Sequence, residues 1–363
     1  MHQHPELSND ERHTSERIIR AMKEYNPDEI LWLGETGVLF VFKGTEKGET
    51  LLFRSELDAL PIKEMTEVEY KSVNDNVSHA CGHDGHMAIL VGLAQKISND
   101  RPTKGNVVLL FQPAEEVEQG ARDVVENPKF MAIKPDYIFA LHNIPGFKKH
   151  KIILKKGCFA SASKGMTVKL MGKTAHAAEP QNGISPASAI SQIINKLHDL
   201  RENNMLFSDF ILLTIIHIQL GEIAFGTSPG YAEMRMTLRA FKNEDMDVLT
   251  DKCETIIRDI ANAEKLDCKF SYSEAFPATM NNDDCVGIVE QSAKQIGLDV
   301  QNIEQPFKWS EDFGYFAEKY NTCYFGLGSG QNQPPLHNPD FDFPDDIIET
   351  GINIFYSIYK KIH

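Results

Sequence analysis

Positive charge is in short supply in this chain: 37 lysines and arginines face 52 aspartates and glutamates, a net charge of −15 over 363 residues. With no dense basic stripe there is nothing to track phosphates, and nucleic acid is not an expected partner. Long apolar runs are missing too, so no segment is expected to span a membrane. The opening residues, Met1-His2-Gln3-His4-Pro5-Glu6 followed by Asn9-Asp10-Glu11-Arg12, hold no apolar stretch, and no secretory signal is expected. The 6 cysteines (Cys81, Cys158, Cys253, Cys268, Cys285 and Cys323) have no framework spacing and no Cys-x-x-Cys pair. That pattern argues against a disulfide scaffold or a thiol-redox protein and for reduced thiols in the cytoplasm. Internal repeats and low-complexity segments are also lacking.

What remains is an ordinary globular composition, 42% hydrophobic and 25% charged, long enough for two domains. Its densest chemistry is His79-Ala80-Cys81-Gly82-His83-Asp84-Gly85-His86, which packs metal-ligand and acid–base residue types into one short stretch. Two glycines let the backbone turn tightly. An apolar run from Met87 to Ala94 follows, so the cluster should open a helix, where free amides and the helix dipole favour a thiolate.

In chain order, residues 7–25 read as an amphipathic helix with Ser8 as its cap. Gly37–Phe42 and Glu49–Phe53 read as strands with a turn at Gly44–Gly48, and a carboxylate-bearing loop with Glu56 and Asp58 comes next. Asn106–Phe111 is apolar throughout, as a strand buried on both faces would be, and ends in Gln112-Pro113-Ala114-Glu115-Glu116. Tyr137–Leu141 is similar and delivers His142. Apolar strands alternating with helices indicate an α/β sheet whose site lies at the strand carboxyl ends. Between 163 and 273 the texture changes to half-exposed strands and amphipathic helices in β-α-β-β-α order. We therefore expect a discontinuous α/β catalytic domain, 1–162 and 274–363, with an inserted smaller α+β domain, 163–273.

Glu56, Asp58, Cys81, His83, Glu115, Glu116, His142 and His337 would thus gather at one sheet edge. A lone acidic loop is usually just solvated, and a lone histidine is usually a hydrogen-bonded core residue. Together, thiolate, imidazole and carboxylate donors suit first-row divalent metals better than magnesium or calcium. In Glu115-Glu116, consecutive residues at a strand end would point oppositely, one to ligate and one to act as general base for hydrolysis.

These segments, with Arg54–Ile62, Gly172–Pro186, Glu311-Asp312-Phe313 and Leu336–Pro344, resemble the amidohydrolase branch of the M20 metallopeptidase family in order and over nearly the whole chain. The resemblance implies a metal-bearing α/β domain interrupted by a dimerisation or lid domain. It implies two divalent transition-metal ions, zinc or manganese with cobalt or nickel as further candidates, held by Cys81, His83, Glu116, His142 and His337, with Cys81 bridging. Glu115 would be the general base, Asp58 would orient a ligand, and His176 would polarise the scissile carbonyl, in many members from a partner subunit. Arg239 would pair with the substrate carboxylate. The implied reaction is hydrolysis of an N-acyl amino acid or small peptide by a homodimer. A dipeptidase or carboxypeptidase, or a metal-dependent binding protein without turnover, are the alternatives. Three departures fall in the motifs: Gly226-Thr227-Ser228-Pro229 for Asn-Val-Ile-Pro, Gln181 and Ser185 for His and Asp, and Glu56-Leu57-Asp58 for Asp-Met-Asp. The first two lie on the substrate side and predict a diverged pocket around intact metal chemistry.

Overall fold

Leu51-Leu52-Phe53 and Val107–Phe111 are buried on both faces and lie in the middle of an eight-stranded sheet, as unbroken apolar runs require. The computed structural model describes residues 1–202 and 205–363. The sheet order is Glu29–Leu33, Gly37–Lys43, Lys104–Gln112, Glu46–Glu56, Tyr137–Pro145, Asn321–Gly330, Ile152–Leu154, Val300–Asn302. The third to sixth of these strands run parallel to one another. Helices His83–Asn99 and Ile348–Ile362 pack together beside the sheet and contribute Leu90, Leu93, Phe355 and Ile358 to its core.

The strand Glu29–Leu33 was not foreseen, because its five residues are short and mostly half-buried at the sheet margin. The strands flanking Gly44 are not a hairpin. Lys104–Gln112 lies between them, and the Gly44 amide donates to the Gly105 carbonyl at 2.7 Å. Ser8 does not cap the first helix, which spans Arg12–Lys23. Glu6 fills that role, its carboxylate accepting from the amides of His13 (3.3 Å) and Thr14 (2.7 Å).

The chain divides into two units: Met1–Phe159, Thr279–Pro306 and Glu311–His363 form one, and Ala160–Ala278 with Phe307–Ser310 form the other. The second unit is an antiparallel four-stranded sheet ordered Ile211–Leu220, Tyr231–Ala240, Ala162–Met171, Asp267–Phe276. Helices Ala187–Glu202 and Asn243–Ala263 pack on each other and on that sheet through Ile193, Leu197, Leu249, Cys253 and Ile257. Its element order is β-α-β-β-α-β, one strand more than the sequence pattern suggested. The long helix stops at Ala263, and Lys265 turns the chain at φ +59° into the added strand. Among the described residues, no helix is long and apolar enough to cross a membrane.

One arginine interrupts the apolar strand Glu46–Glu56. Arg54 is fully buried, donating to Gln112 Oε1 (2.8 Å), Glu311 Oε1 (3.0 Å), Asp312 Oδ1 (2.7 Å) and Glu56. The Tyr324 hydroxyl donates to Glu311 from strand Asn321–Gly330. This network ties the carboxyl ends of two parallel strands to the Glu311-Asp312 loop beneath the site. Removing its cation leaves buried carboxylates uncompensated, so Arg54→Met should cost about 3–5 kcal/mol of folding stability. Urea unfolding checks this; an unchanged midpoint would contradict it.

Candidate metal centre

The cluster is shaped by one turn and one close approach. The Gly82 amide donates to the His79 carbonyl at 3.0 Å, and Gly82 sits at φ +86° as the residue before helix His83–Asn99. A Cβ there would lie 2.6 Å from Asn143 Oδ1. Gly85 does not turn the chain; it lies inside the helix, where a Cβ would meet the Phe343 ring at 2.4 Å. Of the two glycines expected to bend the backbone, one does so, and the other makes room.

Two buried histidines are held in one tautomer. His83 Nδ1 donates to the Asp58 carbonyl (2.9 Å), with Asp58 Oδ1 at 3.5 Å, which leaves Nε2 for a ligand. His142 Nδ1 donates to the Asn143 carbonyl (2.8 Å), and its Nε2 faces Cys81 Sγ at 3.4 Å. Burial, joined by His86, holds the His142 imidazole well below its ordinary pKa, and burial with His83 lowers that of His337, so both are neutral donors. His337 is half exposed, its Nε2 3.7 Å from Glu116 Oε2.

Cys81, His83 and His142 form one group of mutually close donor atoms; Cys81, Glu116 and His337 form a second. The five residues expected as ligands are therefore brought together, with the Cys81 sulfur common to both groups. The helix start does not by itself hold a thiolate. Burial, then the Glu116 and Glu115 carboxylates, push the Cys81 thiol far above its ordinary value.

Glu115 and Glu116 are not splayed by strand alternation. The strand ends at Gln112, and a turn through Ala114 (φ +52°) and Glu118 (φ +65°) follows. Both carboxylates come within 3.9 Å of His83 Nε2. Gly120 permits this turn, since a Cβ there would meet the Pro113 carbonyl oxygen. Burial, then Glu311 and Glu116, raise Glu115 well above the carboxylate range. Burial raises Glu116 to about 7, with His83 opposing and Asp58 adding. Burial would depress His83, yet the Asp58 hydrogen bond and the Glu56, Asp58 and Glu116 carboxylates outweigh it and bring its pKa to about 10.

His176 and Arg239 lie in the second unit. His176 pairs with Thr227 in a two-stranded ribbon, and its Nδ1 accepts from the Ala178 amide at 3.0 Å, so a neutral ring carries its proton on Nε2. Of the departing residues, Thr227–Ser228 are the strand that braces it, and the Gly226 carbonyl accepts from the Ala177 amide at 3.0 Å. Gln181 is exposed in a short 3-10 turn, and Ser185 Oγ accepts from the Ala187 amide where the next helix begins. Arg239 Nη1 donates to Lys308 O and Ser310 Oγ, each at 2.9 Å. Two polar residues behind the centre, His86 and Gln112, had drawn no role of their own from the sequence. His86 Nδ1 lies 2.7 Å from Glu56 Oε2, and Gln112 Nε2 donates to both Asp312 oxygens. The signal for them was Arg54 itself, a charge inside an apolar strand.

His83 Nε2, Glu116 Oε1 and Asp58 Oδ1 are buried without a hydrogen-bond partner. An unpartnered imidazole nitrogen and carboxylate oxygen beside the Cys81 thiol, in groups of mutually close donor atoms, fit divalent transition-metal ions. Because Cys81, His83 and Glu116 all have raised proton affinity in the metal-free state, a cation must displace protons from them. Affinity should therefore rise with pH and fall below about 7, where Glu116 takes up its proton. Calorimetric zinc titration in buffers of different ionisation enthalpy should show net proton release at pH 7, and zero release would contradict the site.

Residues 52–361 match peptidase family M20/M25/M40. The chain is 32% identical to a hippurate hydrolase of Campylobacter jejuni, over 99% of this chain and 94% of that one. It is 30% identical to an N-acetylcysteine deacetylase of Bacillus subtilis, over 98% and 93%. Its fold is similar to the crystal structure of a dinuclear metal-binding M20 peptidase of Bacillus subtilis, with a TM-score of 0.84 and 28% identity, covering 98% of this chain and 94% of that one. The relatives, the dinuclear neighbour and the donor groups together support two divalent ions. The chain belongs to peptidase family M20/M25/M40, as a member of its metal-dependent amidohydrolase branch.

Proposed function

We propose that this enzyme hydrolyses the amide bond of N-acyl amino acids, with zinc or manganese as its metals. The observation that carries the reading is the shared Cys81 sulfur between two donor groups, with a further buried carboxylate, Glu115, beside them. Cys81, His83 and His142 would hold one ion, and Cys81, Glu116 and His337 the other. When bound, two divalent ions would polarise the amide carbonyl, acidify the attacking water and keep Glu115 ionised. Glu115 then takes the water proton on a carboxylate oxygen and passes it to the nitrogen of the leaving amine. Asp58 keeps His83 in the tautomer that leaves Nε2 to ligate. His176, its proton on Nε2, donates to the oxygen on which charge develops. Arg239 is the cation we assign to the carboxylate of the substrate's amino-acid half, a pairing that guanidinium geometry favours.

The similarity to a hippurate hydrolase and an N-acetylcysteine deacetylase favours an N-acyl amino acid over a free peptide. Metal-stripped enzyme refilled with zinc, manganese or cobalt should cleave at least one of a panel of N-acetyl and N-benzoyl amino acids. Glu115→Gln should lower kcat about 10²–10⁴-fold and His176→Ala about 10²–10³-fold. Metal binding with turnover of dipeptides alone, or of no amide, would refute the reading.

The same proposal makes the enzyme a homodimer through its second unit. Strand Ile211–Leu220 is the edge of the four-stranded sheet, and it exposes Ile216 (63%), Ile218 (37%) and Leu220 (42%). An open apolar edge is a template for pairing with a second copy. Ile216→Lys with Ile218→Asp should shift the sedimenting species from dimer to monomer; an unaltered dimer would rule out this edge.

A further inference from the structure

The segment Met1–Asp10 has no part in the reaction described so far, yet it is stitched around the centre at several points. Its backbone runs beside the loop after strand Glu46–Glu56: Leu7 bridges Ala59 in parallel, and the Ala59 amide donates to the Glu6 carbonyl at 2.8 Å. Farther out, the Val73 amide donates to the Gln3 carbonyl (3.0 Å) and Asn74 Nδ2 to the Pro5 carbonyl (2.6 Å). Glu6 ties the segment to the start of helix Arg12–Lys23. The course of the chain is thus set by backbone pairing, and two side chains are left to reach inward on either side of His83.

The first is Ser8, whose hydroxyl donates to Asp58 Oδ2 at 2.7 Å. That oxygen also accepts from the Glu116 amide at 2.9 Å, while the other oxygen of Asp58 faces His83 Nδ1 at 3.5 Å. One buried carboxylate therefore spans a ligand from each donor group, and Ser8 is one of the two donors that fix its rotation. The second is His2, with Nδ1 2.7 Å from Asp84 Oδ2 and Nε2 3.1 Å from Glu64 Oε1. Asp84 is the residue after His83. Glu64 accepts from the Ser72 amide at 2.7 Å, and the next residue, Met65, donates its amide to the Pro339 carbonyl at 2.6 Å, in the loop that carries His337.

We propose that Met1–Asp10 is a strap that positions the metal centre, with Ser8 as its chief positioning residue acting through Asp58. The inference rests on the two-ion reading above and concerns metal binding alone. A carboxylate held by two donors presents a fixed edge to His83 and a fixed anchor to the Glu116 backbone. Held by one, it rotates, and both ligands lose their common reference. Such outer partners typically tune metal affinity about 10–100-fold.

The test is titration of the metal-stripped full chain with Co²⁺ and Zn²⁺ against a chromophoric chelator, with the cobalt absorption spectrum recorded alongside. Ser8→Ala should bind metal about tenfold or more weakly and alter the cobalt band, Ser8→Thr should restore both, and His2→Gln should weaken binding without the threonine-type rescue. Thermal melting of the metal-free Ser8→Ala protein should match the parent, which separates positioning from folding. Unchanged affinity and spectrum in Ser8→Ala would overturn the proposal, as would an equal loss in Ser8→Thr. No substrate enters the titration, so lack of amide turnover by the parent enzyme is a separate result that bears on the reaction and not on the strap.

Discussion

The structure is arranged around buried negative charge that cations must relieve. Glu56, Asp58, Glu115, Glu311 and Asp312 are all buried, with Glu116 close by, where three parallel strands end. Arg54 answers the deepest of these by direct contact with Glu56, Glu311 and Asp312. Burial alone would raise the Glu56 carboxyl, but the Arg54 guanidinium and then His86 outweigh it and hold it well below its usual range. The outer carboxylates, Glu115 and Glu116, are left with raised proton affinity, because His83 beside them only partly offsets their burial and their mutual repulsion. Such a cluster costs folding energy as it stands, and the divalent ions that complete it return that energy as metal affinity. Catalytic competence and stability are two readings of the same electrostatic imbalance.

How much of this was legible in the sequence depends on how local the cause is. The parallel strands were legible because Leu51–Phe53, Val107–Phe111 and Tyr137–Leu141 are apolar without interruption. The donor residues were legible because thiol, imidazole and carboxylate types at strand ends have few other shared uses. Directions were not legible. Glu115 and Glu116 face the same point because a turn with two positive-φ residues follows the strand, and nothing in the pair of letters announces it. Ser8 looked like a helix cap because its neighbours are helix-like, but its partner lies fifty positions away in Asp58. The last strand of the second unit, Asp267–Phe276, was hidden because it is a polar edge strand fused in pattern to the preceding helix.

The segment around His176 follows a different logic. His176 is oriented by the Ala178 amide and braced by Gly226–Ser228, a segment whose contribution is backbone pairing. Of the donors we assign to the metals, His83 and His142 are instead each buried and held by a hydrogen bond from Nδ1 to a backbone carbonyl.

The account's central claim is that Cys81 is shared by two metal ions. Anomalous diffraction from crystals of the zinc-loaded enzyme, collected on both sides of the zinc edge, addresses it directly. Two peaks are predicted, one enclosed by Cys81, His83 and His142 and the other by Cys81, Glu116 and His337, with the sulfur ligating both. A single peak, or two peaks of which neither is ligated by Cys81, would contradict the account.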